Sequence, residues 1–128
     1  MTTVEQAIAI AQENLYKVFG ALSHEERLQS LARLWHPNGI FIDPLDVAST
    51  HEDISNIIGK LQVGKEDWVF SELAPVDVAA PAGTEIVVAR LKWGYGKPEE
   101  KPVVTGLDVV SVKEGKIERL YTFLDTTP

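Results

Sequence analysis

Apolar positions recur at helical spacing through the first part of the chain and alternate with polar ones through the last. Val4, Ile8, Ala11, Leu15, Val18, Phe19 and Leu22 fall on one helical stripe. Ahead of it, Thr2-Thr3-Val4-Glu5 predicts a capping box, with the Thr2 hydroxyl on a free N–H and Glu5 reaching back. Ser23-His24-Glu25-Glu26 predicts a second box, opening a helix with Leu28, Leu31, Leu34 and Trp35 on one side; Pro37 and Asn38-Gly39 stop it. Ile40-Phe41-Ile42 reads as a short strand ended by Asp43-Pro44. Thr50 with Asp53 caps a third helix striped by Ile54, Ile57, Ile58 and Leu61, and Gly64 closes it.

From there the period changes to two. Segment 68–73 and the weaker 76–79 read as strands, and Pro81-Ala82-Gly83-Thr84 as a turn. A long strand spans 85–95, and 103–113 with 116–124 forms a hairpin across Glu114-Gly115. Val87, Ala89, Leu91, Trp93 and Tyr95 share one face of the long strand, uniformly apolar or aromatic, which must face the helices. In the next strand Val104, Gly106, Asp108, Val110 and Val112 form the more apolar face. The last strand has no clear phase: Arg119 shares a face with Tyr121 and Phe123, while Glu118 and Thr122 share one with Leu120 and Leu124. Helices followed by strands predict an α+β domain with one strongly curved antiparallel sheet.

The 128 residues suffice for a single domain with its own core, expected over 1–128. The net charge of −7, with lysines and arginines scattered, argues against nucleic acid and against a membrane surface as partners. The chain has no cysteine, which excludes disulfides, thiolate metal sites and a thiol nucleophile. The first residues lack the early positive charge and apolar run of a secretory signal, and no apolar stretch approaches the roughly 18 residues of a membrane span; a cytoplasmic location is expected.

Asp108 is the most informative polar residue, because it interrupts a valine-rich face that should be buried. A buried carboxylate without a charged partner tends to hold its proton and becomes a hydrogen-bond donor suited to an oxyanion. Its alternative is a structural link to backbone or water. Asp43 lies between a strand and Pro44, placed either to act as a base at a pocket mouth or simply to start a turn. Tyr16, beside the first helical stripe, either donates into a cavity or sits at a rim. Trp35, Trp68 and Trp93, with Leu91, Val110 and Leu120, are the expected apolar lining. His24, His36 and His51 lack the paired spacing of a zinc site, and no glycine-rich phosphate loop or serine elbow is present, so neither a metal nor a cofactor is expected.

Leu34-Trp35, then Gly39-Ile40-Phe41-Ile42-Asp43-Pro44, then the short helix around Ile54, resemble the first half of ketosteroid isomerase and the SnoaL-like polyketide cyclases, within the nuclear transport factor two-like superfamily. The hairpin strand from Val103 to Val112, Gly115-Lys116-Ile117, and the ending Tyr121-Thr122-Phe123-Leu124-Asp125 are similar to the closing half of these domains. The resemblance covers nearly the whole chain. It implies a cone-shaped sheet wrapped around about three N-terminal helices. It also implies a general base at Asp43 and a neutral acid at Asp108. The oxyanion-side tyrosine falls on Tyr16 if the chain has about three extra residues between its first two helices, and otherwise on Phe19, which cannot donate. Where the family often has glycines after Asp-Pro and before the third helix, this chain has Asp46 and Ser49-Thr50. Two functions follow: an isomerase or cyclase that abstracts a proton next to a carbonyl of a small apolar or aromatic ligand, or a non-catalytic binding or dimerisation module. A homodimer is expected through the outer sheet face carrying Ile86, Val88, Leu107 and Val109.

Overall fold

The computed structural model describes residues 2–125, so Met1 and residues 126–128 of the expected domain lie outside the described residues. The first helix, α1 (Val4–Glu13), is capped by Thr3, whose hydroxyl accepts the Gln6 N–H while the Gln6 side chain accepts the Thr3 N–H. The box therefore sits one residue later than expected. Thr2 is occupied elsewhere: its hydroxyl accepts the Gly115 N–H at 2.9 Å and ties the start of the chain to a distant turn.

The stripe does not continue as regular α-helix. Asn14–Phe19 forms a π-helical turn, closed by the Gly20 N–H on the Leu15 carbonyl at 3.0 Å. The wider turn buries Leu15, Val18 and Phe19 and leaves Tyr16 and Leu22 exposed. Helix α2 (His24–Leu34) starts at Ser23, whose hydroxyl accepts the Glu26 N–H. Helix α3 (His51–Gln62) starts at Thr50 with its oxygen on the Asp53 N–H, and Gly64 follows it at φ +77°.

The chain passes from α2 directly into β1 (Trp35–Ile42), longer than the expected 40–42 because Trp35 is already extended; Pro37-Asn38-Gly39 becomes an irregularity within the strand. After the short β2 (Val47–Ala48) and α3 come β3 (Val69–Glu72), β4 (Asp77–Ala79), β5 (Ile86–Gly96), β6 (Val104–Lys113) and β7 (Lys116–Leu124). The sheet order is β2-β1-β7-β6-β5-β3, with β4 also on β5. The expectation of a wholly antiparallel sheet is corrected at one pair: β1 runs parallel to β7. No hairpin links these two strands, so no turn fixes their relative direction.

Alternation in β5 and β6 is regular. Val87, Ala89, Leu91, Trp93 and Tyr95 are buried, as are Gly106, Asp108, Val110 and Val112. In β7 the phase changes within the strand. Ser111 pairs with Arg119 but Val112 pairs with Ile117, so Glu118 is an extra residue, and Ile117 and Leu120 both point inward. The β6–β7 turn is Glu114 (φ +52°) and Gly115 (φ +77°), the left-handed pair of a two-residue hairpin.

Beneath the sheet, Arg27 is buried without a carboxylate. It donates to Ser55 Oγ at 2.7 Å, to the Ala21 carbonyl at 3.1 Å and to Gln62 Oε1 at 3.0 Å. Gln62 in turn donates to the carbonyls of Phe19 and Ala21. This network binds α3 to the end of the π turn and so fixes where Phe19 stands. Gln62→Ala leaves the Phe19 carbonyl and one guanidinium N–H unpaired in the interior, and leaves the Ala21 carbonyl to Arg27 alone. Its expected effect is a loss of about 2–4 kcal/mol of unfolding free energy, read as a lower urea midpoint at unchanged slope.

Candidate functional site

A cavity of about 290 Å³ opens between the helices and the inner sheet face, near the roughly 300 Å³ lower bound of small-molecule sites. Its wall is mostly apolar, from Leu15 and Phe19 of the π turn, Phe41 of β1, Phe70 of β3 and Trp93 of β5. Three charged side chains reach it: Asp43, Asp108 and Lys65. Exposure gives the cavity a direction. Pro44, Leu61 and Leu124 are exposed and Leu45 is 90% exposed, marking the mouth; Asp108, 6% exposed, lies at depth with Trp93.

The position of Asp108 follows from strand register. Trp93 pairs with Gly106, and a Cβ at position 106 would overlap the Trp93 indole and the Phe123 carbonyl. The missing side chain lets the indole lie across β6, and its Nε1–H donates to Asp108 Oδ1 at 3.0 Å. Thr122, opposite Asp108 on β7, donates its hydroxyl to the same oxygen at 2.8 Å. Both bonds fall on Oδ1; among the described residues Oδ2 has no hydrogen-bond partner. Burial raises the Asp108 pKa, and the Thr122 and Trp93 hydrogen bonds to the charged form hold the rise to about 6.

Asp43 shares the cavity, and its carboxylate also organises the loop. Oδ1 accepts the N–H of Leu45 at 2.9 Å and of Asp46 at 2.6 Å, and the Asp43 N–H donates to the Asp46 carbonyl. Asp46, the further carboxylate of that loop, is exposed and does not line the cavity.

Tyr16 does not reach this cavity. It is 42% exposed, and its hydroxyl accepts the Glu72 N–H at 3.0 Å across to β3. The inward position of that turn is taken by Phe19. Trp68 lines a neighbouring concavity, separated from the first by Phe19, Phe70 and Tyr95, which line both. Leu91, Val110, Leu120 and Trp35 are buried in the packed core and do not line the cavity. Trp35 donates instead to Asn14 Oδ1 at 2.8 Å. Its indole thus anchors the start of the π turn.

Four lining residues, Phe70, Tyr95, Thr122 and Lys65, were not among the expected site residues. Phe70 and Tyr95 stack at 4.1 Å with planes 17° apart, closing one side. Burial raises the Tyr95 pKa, with Glu66 adding to it, so its hydroxyl stays a neutral donor. Thr122 was hidden by the uncertain phase of β7. Lys65 follows the helix-ending Gly64 in a polar loop, and no pattern singles it out.

Solved structures share this arrangement of helices and sheet. A proposed isomerase of the SnoaL-like family from Agrobacterium tumefaciens superposes with a TM-score of 0.80 at 25% identity, covering 96% of this chain and 100% of that one. This chain has the SnoaL-like fold. A proposed ketosteroid isomerase from Kribbella flavida matches this chain at a TM-score of 0.65 and 17% identity, over 97% of this chain and 81% of that one. A proposed SnoaL-like polyketide cyclase from a Jannaschia species matches at 0.67 and 12%, over 98% and 90%. No family model matches the sequence, and none of the curated proteins is a detectable relative of it. No helix among the described residues is long and apolar enough to cross a membrane.

Two outcomes test this site. Gly106→Ala should displace the Trp93 indole and weaken its bond to Asp108, lowering stability by about 1–3 kcal/mol in urea denaturation. In a Trp93→Ala background the same substitution should cost less, because the indole it displaces is gone. The second concerns pH. The folded protein holds the Asp108 proton more tightly than the unfolded chain does. Wild-type stability should therefore fall relative to Asp108→Asn as pH rises from about 4 to about 6, by roughly 3 kcal/mol, and then level off. Denaturation of both proteins across pH 4–7.5 reads the difference directly.

Proposed function

We propose that this SnoaL-like domain binds a small, flat, apolar carbonyl compound and moves a proton at the carbon next to the carbonyl, as an isomerase or cyclase. The observation that carries this reading is that Asp43 and Asp108 line one largely apolar cavity. Asp43 takes the proton at the mouth, through the oxygen its turn leaves free. Asp108 stabilises the developing oxyanion through the carboxyl face turned to the ligand. With its pKa near 6, Asp108 is mostly ionised in the free protein at neutral pH. An apolar ligand that displaces water favours the protonated donor. Tyr16 has no part in this chemistry, because its hydroxyl is held by β3.

The Asp43 turn favours a second reading, a non-catalytic binding module, since its hydrogen bonds to Leu45 and Asp46 serve the loop with or without chemistry. For either reading the proposed assembly is a homodimer through the outer sheet face of Ile86, Val88, Leu107 and Val109, in the cytoplasm.

A flat ketone such as 2-tetralone separates the two readings without knowledge of the natural substrate. In D2O, the wild type should accelerate exchange of the protons next to its carbonyl, followed by NMR. Asp43→Asn should cut the accelerated rate by about 100-fold or more. Asp108→Leu should lose about as much, and Asp108→Asn less, because the amide still donates. The accelerated rate should decline toward alkaline pH in wild type and not in Asp108→Asn. Binding of the ketone with exchange at the uncatalysed rate would replace the enzyme reading with the binding module.

A further inference from the structure

We propose that Lys65 recognises an anionic group on the ligand, so that the ligand class is a flat apolar carbonyl compound that also carries a carboxylate. The assignment rests on the ligand-binding reading given above and adds the chemistry at the other end of the ligand. Lys65 is the one cationic side chain among the residues lining the cavity, and it stands opposite in sign to both carboxylates there. The chain as a whole carries a net charge of −7, so its overall field disfavours an anion.

The backbone at Lys65 is fixed. Its N–H donates to the Gln62 carbonyl at 2.9 Å, and its carbonyl accepts the Trp68 N–H at 3.0 Å. The ammonium group is held only loosely. It donates to the Leu61 carbonyl at 3.3 Å and lies 5.6 Å from the centroid of the Trp68 ring. Among the described residues it has no carboxylate within ion-pair distance. The neighbouring Glu66 turns its carboxylate to the Gly64 N–H. An ammonium has three donors and one of these is used. A ring face and a single helix-end carbonyl keep the half-buried cation in place and are easily exchanged for a stronger partner.

The direction of the cavity completes the argument. Lys65 adjoins Leu61 at the exposed end, whereas Asp108 and Trp93 are at the buried end. A ligand with its carbonyl at Asp108 and its carboxylate at the rim buries its apolar body, keeps its charge partly in water, and keeps that charge away from the buried acid. Without Lys65, the two carboxylates lining the cavity would disfavour such an anion.

Matched probes test this: 2-naphthol, neutral at pH 7, and 6-hydroxy-2-naphthoate, which adds a carboxylate at the far end of the same ring system. Binding is read by titration calorimetry at pH 7. Wild type should bind the naphthoate more tightly than 2-naphthol. Lys65→Met should weaken the naphthoate by about 5- to 30-fold, a range set by one charge-assisted contact at a partly exposed site, and leave 2-naphthol unchanged. Lys65→Arg should retain most of the preference. Because the half-buried side chain is held only by one long bond to a carbonyl and a ring face, thermal melting of Lys65→Met should stay close to that of wild type. If 2-naphthol binds but the naphthoate shows no preference, or a preference that survives Lys65→Met, the Lys65 assignment is overturned and the ligand-binding reading stands. If neither probe binds wild type, both are overturned.

Discussion

The absent side chain at Gly106 is the constraint on which the site depends. An indole cannot lie flat over a neighbouring strand that presents a Cβ at the paired position, and here β6 presents none. Trp93 therefore leans along β6 instead of standing off the sheet, and its N–H meets a carboxylate two residues away in register. The pairing also brings Thr122 to that carboxylate from the opposite strand. A buried acid held from both sides by neighbouring strands cannot swing out to water. Its ionisation is then set by the interior rather than by solvent.

The open space beside Asp108 has a second cause, in the helices. A regular α-helix from Val4 to Leu22 would carry its stripe past the sheet with even spacing. The π turn at Asn14–Phe19 breaks that spacing, and Trp35 and Gln62 clamp it at its two ends through Asn14 and the Phe19 carbonyl. The buried Arg27 makes the clamp stiff, because a guanidinium without a carboxylate depends on every neutral acceptor it has. Phe19 is thus held at the cavity wall, where a smaller displacement of the helix would otherwise let it close the space.

Alternation exposed the inner faces of β5 and β6 in the sequence, because both strands are long and keep their phase. Asp108 stood out there as a polar residue on an apolar face. The same logic did not reach β7, where Glu118 inserts one residue and shifts the phase partway along, nor the parallel pairing of β1 with β7, which no local turn encodes. It also did not separate lining from filling. Leu91 and Val110 share a face with Trp93 and Asp108, yet they pack into the core while those two meet the cavity. Periodicity says which way a side chain points, and only the path of the helices says what it meets. The choice between Tyr16 and Phe19 was open for a related reason: a π turn rotates everything after it, and its hydrogen bonds leave no residue signature.

The tuning of Asp108 shows how little separates a structural acid from a reactive one. With hydrogen bonds to both oxygens the carboxylate would be fixed in its charged form, and with none it would be held neutral by desolvation. Two donors on Oδ1 and none on Oδ2 give a pKa of about 6, close enough to neutrality that either form is reached at small cost. The oxygen left without a partner belongs to a residue that lines the cavity. The cavity lining includes Tyr95 and Lys65, yet neither donates to that oxygen. Asp108 thus meets the cavity with one oxygen committed to Trp93 and Thr122 and the other without a protein partner among the described residues.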